Sequence, residues 1–441
     1  MVSIEPEVVK VPAMQSALRL DGIDHVELYV GNAYQAAHFY RSMFGTGAPS
    51  PRLAEWARRS GTSALQTMLS VGTRPGTISL ALGLPAPELF PAAEYGSASA
   101  AVLAENPAAL QYSPPHAPLQ TQVAALMAQR GVAFAPEQVF LTAGAQQGLS
   151  LLARLLLEPG GEVIAETLCY TGFQQAVEPF SPRLLTVPTD PETGMDVDAV
   201  EALLAGGARP AFIYTVPDGH NPLAVSMPQE KRVRLAELAR RYGVPIVEDD
   251  PYGLLAYDGP PAHPLRALER EWVFYVGSFS KVLAPALRLG WLMVPEHLVP
   301  LLAIAKEASD INTATFSQRA ASRYLEGGHL PGHLSMLRRE YRRRRDAMLA
   351  ALEKHFPAGA RWRRPAAGVF VWVELPEGLD AGDVLRVALE QGVAFVPGHA
   401  FAADGSRTGS NCMRLNFSHS TPEMIDEAVA RLGRALQTGA P

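Results

Sequence analysis

The sequence predicts an α/β protein: a mostly parallel sheet covered by helices on both faces, followed by a smaller α+β domain. Three observations lead there. From about residue 120, short apolar, β-prone runs alternate with helical stretches of about 10–15 residues, the rhythm of strands joined by crossover helices. Those runs are apolar throughout rather than at every second residue, so they read as strands buried on both faces. After about residue 326 the rhythm breaks into a long arginine-rich helix and then a strand of alternating polarity. The expected organisation is an N-terminal arm with linker (1–75), a large domain (76–325) and a small C-terminal domain (326–441). A chain of 441 residues accommodates two or three domains.

Residues 23–45 read as one strand, a turn at Gly31-Asn32 and one amphipathic helix. This stretch resembles the opening βα unit of the vicinal-oxygen-chelate family, in particular the 4-hydroxyphenylpyruvate dioxygenases and hydroxymandelate synthases. Nothing after Gly45 supplies the remaining strands of such a module. His25 and Glu27 share one strand face, but two ligands without a supporting module make a poor site, so no metal is expected. A structural arm is the better reading. Residues 46–75, rich in Ala, Arg, Gly and Ser, read as a helix plus linker.

Val139–Thr142 is apolar and β-prone, Gly144 punctuates it, and residues 146–157 are helical. A strand at 162–165 follows the turn Pro159-Gly160-Gly161, and 211–216 is the next buried strand. An amphipathic helix at 227–242 leads to a strand at 244–248, and strands at 272–277 and 289–294 complete the set. In the small domain the expected elements are a long helix (330–354), an alternating strand (368–375) and a helix (383–391). Strands at 393–396 and 413–417 and a closing helix from Pro422 follow.

With 48% hydrophobic and 19% charged residues, the composition excludes a disordered tail, a collagen-like fibre and a disulfide scaffold. A net charge of −6 argues against nucleic acid as a partner, because phosphate contacts need a concentrated positive face. The basic run Arg338, Arg339 and Arg342 to Arg345 is expected on a solvated helix face. No apolar run reaches the ~20 residues that span a bilayer, and the N-terminus lacks a basic-then-apolar signal, so no membrane partner is expected. Two cysteines, Cys169 and Cys412, cannot build a disulfide framework and suit a reducing cytoplasm. Only five of the 38 basic residues are lysines: Lys10, Lys231, Lys281, Lys306 and Lys354. Chemistry that needs a primary amine has few places to reside.

Lys281 stands out among them. It closes SFSK (278–281) just after an apolar strand, at the sheet edge where ligands of α/β proteins bind. Ser278 and Ser280 add hydroxyls, and Arg288 lies one short loop on, with a fork suited to phosphate. An amine able to form a Schiff base beside an anion-binding cluster suggests pyridoxal phosphate. In LTAGAQQG (141–148), strand, glycine and helix start leave free N–H groups for a phosphate. TVPDGHNPL (215–223) carries a turn at His220-Asn221-Pro222. In VEDDPYG (247–253) a strand ends in carboxylates that need a partner when buried, and a protonated pyridine nitrogen would be one.

In this order and spacing, these stretches resemble the fold-type I pyridoxal-phosphate aminotransferases of class I/II, closest to the α-aminoadipate, kynurenine and aromatic branch. The resemblance runs from about Thr77 to the C-terminus. It takes in SLALGLPAPELFP (79–91), LQYSP (110–114), ETLCYTGF (166–173), GVFVWVELP (368–376), GVAFVPGHAF (392–401) and MRLNFS (413–418). It implies a seven-stranded sheet in the large domain, bound pyridoxal 5′-phosphate (the pyridoxamine form in the half-reaction), and a homodimer. Lys281 would hold the cofactor and then act as the base. Asp249, three residues before Tyr252, matches the carboxylate on the pyridinium nitrogen, with Asp250 as the competing candidate. Asn221 and Tyr252 match the partners of the cofactor's phenolic oxygen, and Tyr170 the residue stacked on its ring.

The phosphate cradle would be Ser278, Ser280, Arg288 and the amides at Gly144, Ala145 and Gln146. Arg414 resembles the arginine that takes the substrate α-carboxylate, and Asn221 would also face the substrate. Gly83 matches a mobile loop residue, and Tyr112 a tyrosine that reaches the phosphate across a dimer interface. One departure stands out: QYSPPHAPLQ (111–120) is shorter than the family's usual stretch, with Gln120 where arginine is common.

The implied reaction moves an amino group between an L-amino acid and a 2-oxo acid. The likeness of 23–45 to enzymes of 4-hydroxyphenylpyruvate points to an aromatic donor, tyrosine or 4-hydroxyphenylglycine, and to antibiotic biosynthesis. A broad-specificity α-aminoadipate or branched-chain enzyme is the alternative. A lyase or decarboxylase on the same cofactor would not pair keto-acid production with acceptor consumption. A regulator with an aminotransferase-like sensor would need a winged-helix module with a basic recognition helix, which residues 1–75 do not supply.

Overall fold

The computed structural model of the chain describes residues 53–59 and 76–438. The first of these carries a short helix, Glu55–Arg59. The segment 23–45, with His25 and Glu27, and most of the expected linker lie outside the described residues.

The main sheet has seven strands. They are β1 (Val139–Thr142), β2 (Glu162–Glu166), β3 (Arg183–Val187), β4 (Phe212–Thr215), β5 (Ile246–Asp250), β6 (Val273–Ser278) and β7 (Gly290–Met293), in spatial order β1-β7-β6-β5-β4-β2-β3. All pairings are parallel except the two made by β7. No crossover α-helix separates β6 from β7, and a direct return reverses the strand.

Every residue of β4, β5 and β6 is buried, as parallel strands covered on both faces require, and in β5 that burial extends to Glu248, Asp249 and Asp250. Alternate side chains of one strand feed two cores: Val163 and Ala165 pack on one face of the sheet, Ile164 on the other. On the first face lies α1 (Ala145–Leu156) with Leu149 and Leu152; on the second lies α2 (Gln229–Tyr242) with Leu235 and Leu238. α2 starts two residues later than the sequence suggests, after Pro228. β3 falls outside the expected strand set because it is an edge strand: Arg183 is exposed and only Val187 is fully buried.

A second, antiparallel sheet comprises β8 (Arg361–Trp362), β9 (Phe370–Glu374), β10 (Val396–Pro397) and β11 (Cys412–Asn416), in order β8-β9-β11-β10. The single strand expected at 393–396 is in fact two. Val393–Ala394 pairs in parallel with Ile78–Ser79, whereas β10 pairs with β11. Pro397, without an N–H, is tolerated because β10 is an edge strand.

The long helix, α3 (Leu330–His355), is present, but its arginine run is a solvated face only in part: Arg339, Arg342 and Arg343 are exposed. Arg344 and Arg345 are buried at 2% and 0% exposure. Arg344 pairs with Glu340 and Glu88 and donates to the Ser418 carbonyl; Arg345 pairs with Asp258 and Asp346. Successive helical residues are rotated by about 100°, so four adjacent arginines cannot all face water. No helix among the described residues is long and apolar enough to cross a membrane.

Candidate active site

Because β4, β5 and β6 are parallel, their C-terminal ends open on one sheet edge, where the loops after them converge. A cavity of about 440 Å³ lies there, closed on its far side by β9, β11 and the turn Gly398–Phe401. Gly83, Ala145, Gln146, Tyr170, Asn221 and Asp249 line it. So do Tyr252, Ser278, Ser280, Lys281, Arg288 and Arg414. Gly144 sits just behind Arg288. Tyr112 stands apart from this cavity, its side chain 77% exposed.

One end of the cavity is built for an anion. α1 begins after Gly144 with no side chain capping it, so its first N–H groups face the cavity free. Gly144 has φ +80, and a Cβ there would stand 2.6 Å from Arg288 Nη2, so only glycine permits this approach. Arg288 donates to the carbonyls of Ala143 and Pro285 at 3.1 and 3.2 Å and is paired with no carboxylate among the described residues. Gln146 Nε2 donates to Gly172 O at 2.6 Å, tying the start of α1 to the loop carrying Tyr170. The Ser280 N–H donates to Ser278 Oγ at 3.1 Å.

The other end is acidic. Asp249 Oδ2 accepts from the Tyr214 hydroxyl at 2.8 Å, whereas its buried Oδ1 has no partner. Burial pushes its carboxyl up to about 7; neighbouring Asp250 adds to this and Tyr214 opposes it. Asp250, the competing candidate, is fully engaged. It is hydrogen-bonded and ion-paired to Arg130, and accepts from Tyr275 Oη at 2.8 Å and Gly253 N at 2.6 Å. Burial acts to raise its carboxyl, but Arg130 outweighs that and holds it below its ordinary value.

Lys281 Nζ donates to the Gly83 carbonyl at 2.6 Å. Burial, then the charges of Arg414 and Arg288, bring its amine down to about 8. Arg414 donates to Asn221 Oδ1 and to Ala81 O, both at 2.6 Å. Its Nε is buried without a partner, and no carboxylate among the described residues pairs with it. Phe370 and Phe401 cover the guanidinium, their ring centroids at 4.0 and 4.7 Å, so it offers a guest its edge. His220 shapes the loop: Nε2 faces Glu166 Oε2 at 3.1 Å while Nδ1 accepts from Leu223 N at 3.3 Å. One neutral tautomer satisfies both contacts.

Four contributors are not evident from residue types alone. Phe370 and Phe401 lie in motifs of the resemblance, but an apolar ring carries nothing in its residue type that marks it as part of a site. Tyr214 is an apolar-strand residue whose hydroxyl contact exists only after β4 pairs with β5. Arg130, at the end of a helix 119 residues before Asp249, carries no local signal. Among the described residues no three His, Cys, Asp or Glu side chains group to hold a metal. What the site fits is a guest with an anionic phosphate at one end and a cationic ring nitrogen at the other. The free α1 amides and Arg288 meet the first, the orphaned Oδ1 of Asp249 the second, and pyridoxal phosphate has both.

A family model for aminotransferases of class I and II matches residues 78–432. Over 384 residues the chain is 40% identical to Aromatic-amino-acid aminotransferase 1 of Thermococcus litoralis, covering 85% of this chain and 91% of that one. Among solved structures it is similar to the α-aminoadipate aminotransferase of Thermus thermophilus complexed with N-(5′-phosphopyridoxyl)-L-leucine. That match has a TM-score of 0.82 and 39% identity over 88% of this chain and 97% of the other. It is also similar to the kynurenine aminotransferase of Pyrococcus horikoshii solved with PMP and kynurenine, with a TM-score of 0.83, 37% identity, and 89% and 98% coverage.

Proposed function

The chain belongs to the class I and II aminotransferases, pyridoxal-phosphate enzymes, and from that premise we propose that it passes the amino group of an aromatic L-amino acid to a 2-oxo acid. The cavity's cations carry the substrate reading. Among the described residues its positive side chains are Lys281, Arg288 and Arg414. Phosphate takes Arg288, the donor's α-carboxylate takes Arg414, and the transfer chemistry takes Lys281. Among the described residues none is left for a second carboxylate, and the remaining wall is largely apolar, with Leu82, Leu84, Phe370, Val396 and Phe401. Tyrosine is the first donor to test, and 4-hydroxyphenylglycine, suggested by residues 23–45, the second. An α-aminoadipate donor is favoured by the 40% identity to a 2-aminoadipate transaminase of Thermus thermophilus.

Bound pyridoxal phosphate supplies an electron sink for negative charge developing at the donor's α-carbon. Arg414 grips the α-carboxylate through its free edge, and Asn221, its partner, sets the angle of that grip. Lys281 Nζ, its amine brought down from the ordinary 10.5 to about 8 and so closer to the working range of a base, would remove and return the α-proton. With the group bound, Asp249 Oδ1 would stabilise the charge of the ring nitrogen, and Asn221 with Tyr252 would donate toward the phenolic oxygen. Ser278, Ser280, Arg288 and the amides at 144–146 would hold the phosphate, and Tyr170 would stack on the ring. Gly83 would serve as the mobile loop residue, at a place where a Cβ would meet Phe370 Cζ at 2.6 Å.

A homodimer and a cytoplasmic setting complete this reading. Tyr112, exposed here, would reach the partner's phosphate, and both cysteines are unpaired thiols. A half-reaction panel tests the donor: tyrosine and 4-hydroxyphenylglycine are expected to bleach the cofactor absorbance of the purified holoenzyme. If only 2-aminoadipate or leucine does so, the aromatic reading is wrong.

A further inference from the structure

Behind the cavity, and out of reach of any guest in it, lies a buried cluster of four charges. Arg130 and Arg232 face Asp218 and Asp250, all 8% exposed or less. Arg130 Nη1 engages Asp250 and donates to Tyr275 Oη at 3.2 Å, and its Nη2 donates to Asp218 Oδ2 at 3.1 Å. Arg232 holds Asp218 from the other side, at 2.6 and 3.2 Å, and donates to the carbonyls of Pro217 and Met227. Asp218 lies in the loop after β4, whereas Asp250 ends β5, where the Tyr252 loop begins. Asp218 lies three residues before Asn221; Asp250 lies beside Asp249 and two residues before Tyr252.

Gly253 lies so close to the guanidinium that a Cβ there would stand 2.2 Å from Arg130 Nη2, so the Tyr252 loop is seated directly on Arg130. We propose that Arg130 is a positioning residue of the reaction. Its guanidinium clamps the Asn221 loop to the Tyr252 loop, and it supplies the positive charge that allows Asp249 and Asp250 to be ionised side by side. The inference rests on the aminotransferase reading only for the identity of the bound group.

The charge bookkeeping explains why one arginine matters. With Arg130 present the cluster is neutral. Without it, Arg232 remains paired with Asp218, and Asp250 becomes a buried, unpaired carboxylate adjacent to Asp249. The groups facing the two carboxylates are few. Asp249 faces Tyr214, Tyr170 and Tyr252; Asp250 faces Arg130, Tyr275 and Glu248. Arg338, on α3, lies near Arg130 and donates to Leu254 O at 3.0 Å, engaged elsewhere. Among the described residues no other cation contacts Asp250, so the two carboxylates would titrate as a coupled pair, and a proton they share would discharge Asp249.

The test uses purified holoenzyme. Arg130→Met is expected to keep bound pyridoxal phosphate while kcat falls about 100-fold with KM for the donor little changed, the signature of lost positioning. The pH at which the bound cofactor's absorbance titrates should shift, and the acid limb of the kcat profile should move to higher pH. Arg130→Met/Asp250→Asn, with no charge left over, should return that limb to its wild-type position without restoring kcat. Arg130→Lys, which keeps the charge but cannot bridge both carboxylates, should retain the wild-type limb and lose kcat; it carries the test should Arg130→Met not fold. Wild-type kcat in Arg130→Lys, or an unmoved limb and absorbance titration in a folded Arg130→Met, overturns the proposal. Failure of the wild-type protein to bind pyridoxal phosphate would instead indict the aminotransferase reading.

Discussion

Lys281 shows how neighbours turn a common side chain into a reagent. In the cofactor-free protein its amine titrates near 8, below the ordinary 10.5, because burial and then Arg414 and Arg288 oppose its charge. Between about 8 and 10.5 the unfolded chain therefore binds the extra proton, and stability contributed by this group rises with pH across that window. Urea unfolding of the apoprotein checks the sign: Lys281→Ala should be more stable than wild type near pH 7, and the gap should narrow toward pH 10. A constant gap would contradict the environment described. The same variant should lose turnover entirely, since arginine-rich surroundings offer no second amine. The sequence points to Lys281 by scarcity and motif, and it also singles out Asp249 from Asp250 by spacing. The contacts supply the reason: Asp250 is spent on Arg130, Tyr275 and Gly253, whereas Asp249 keeps one oxygen free.

Elements bring these residues together by their ends. α1 starts at a glycine with positive φ, immediately under Arg288. Gly144→Ala forces an L-residue into the left-handed region at a cost of about 1–2 kcal/mol and pushes on the guanidinium. Pyridoxal phosphate titration of the apoprotein should show about tenfold weaker binding, the equivalent of about 1.4 kcal/mol; unchanged affinity would remove α1 from the phosphate cradle. Buried parallel strands are legible because an unbroken apolar run has few other uses. Edge strands are not: β3 is half exposed, and 393–397 bonds to two sheets in succession, a choice set by which partners are within reach. The arginines of α3 are the same lesson on a helix, where position around the axis decides which charges are buried.

At the scale of the whole molecule, Tyr112 stands on an exposed apolar surface. Its backbone neighbourhood is anchored, with Asn312 Nδ2 donating to Ser113 O at 2.7 Å, while Leu110, Tyr112 and Ile311 are 72%, 77% and 65% exposed. Large apolar side chains left in water beside an anchored loop suit an interface with a second copy. Sedimentation at micromolar concentration should report a dimer, and Tyr112→Phe should weaken cofactor affinity without shifting that equilibrium. A monomer with full activity would refute both. What the sequence by itself determined resides in residue types and short spacings: the scarce amine of Lys281, the paired carboxylates Asp249 and Asp250, the glycine before α1, and the buried strands that present them. What only the tertiary structure decided is which charges cancel. Arg130 meets Asp250 across 120 positions and Arg414 meets Asn221 across 193, and no local pattern encodes such a pairing, because each partner is chosen by the packing of elements that fold far apart in the chain.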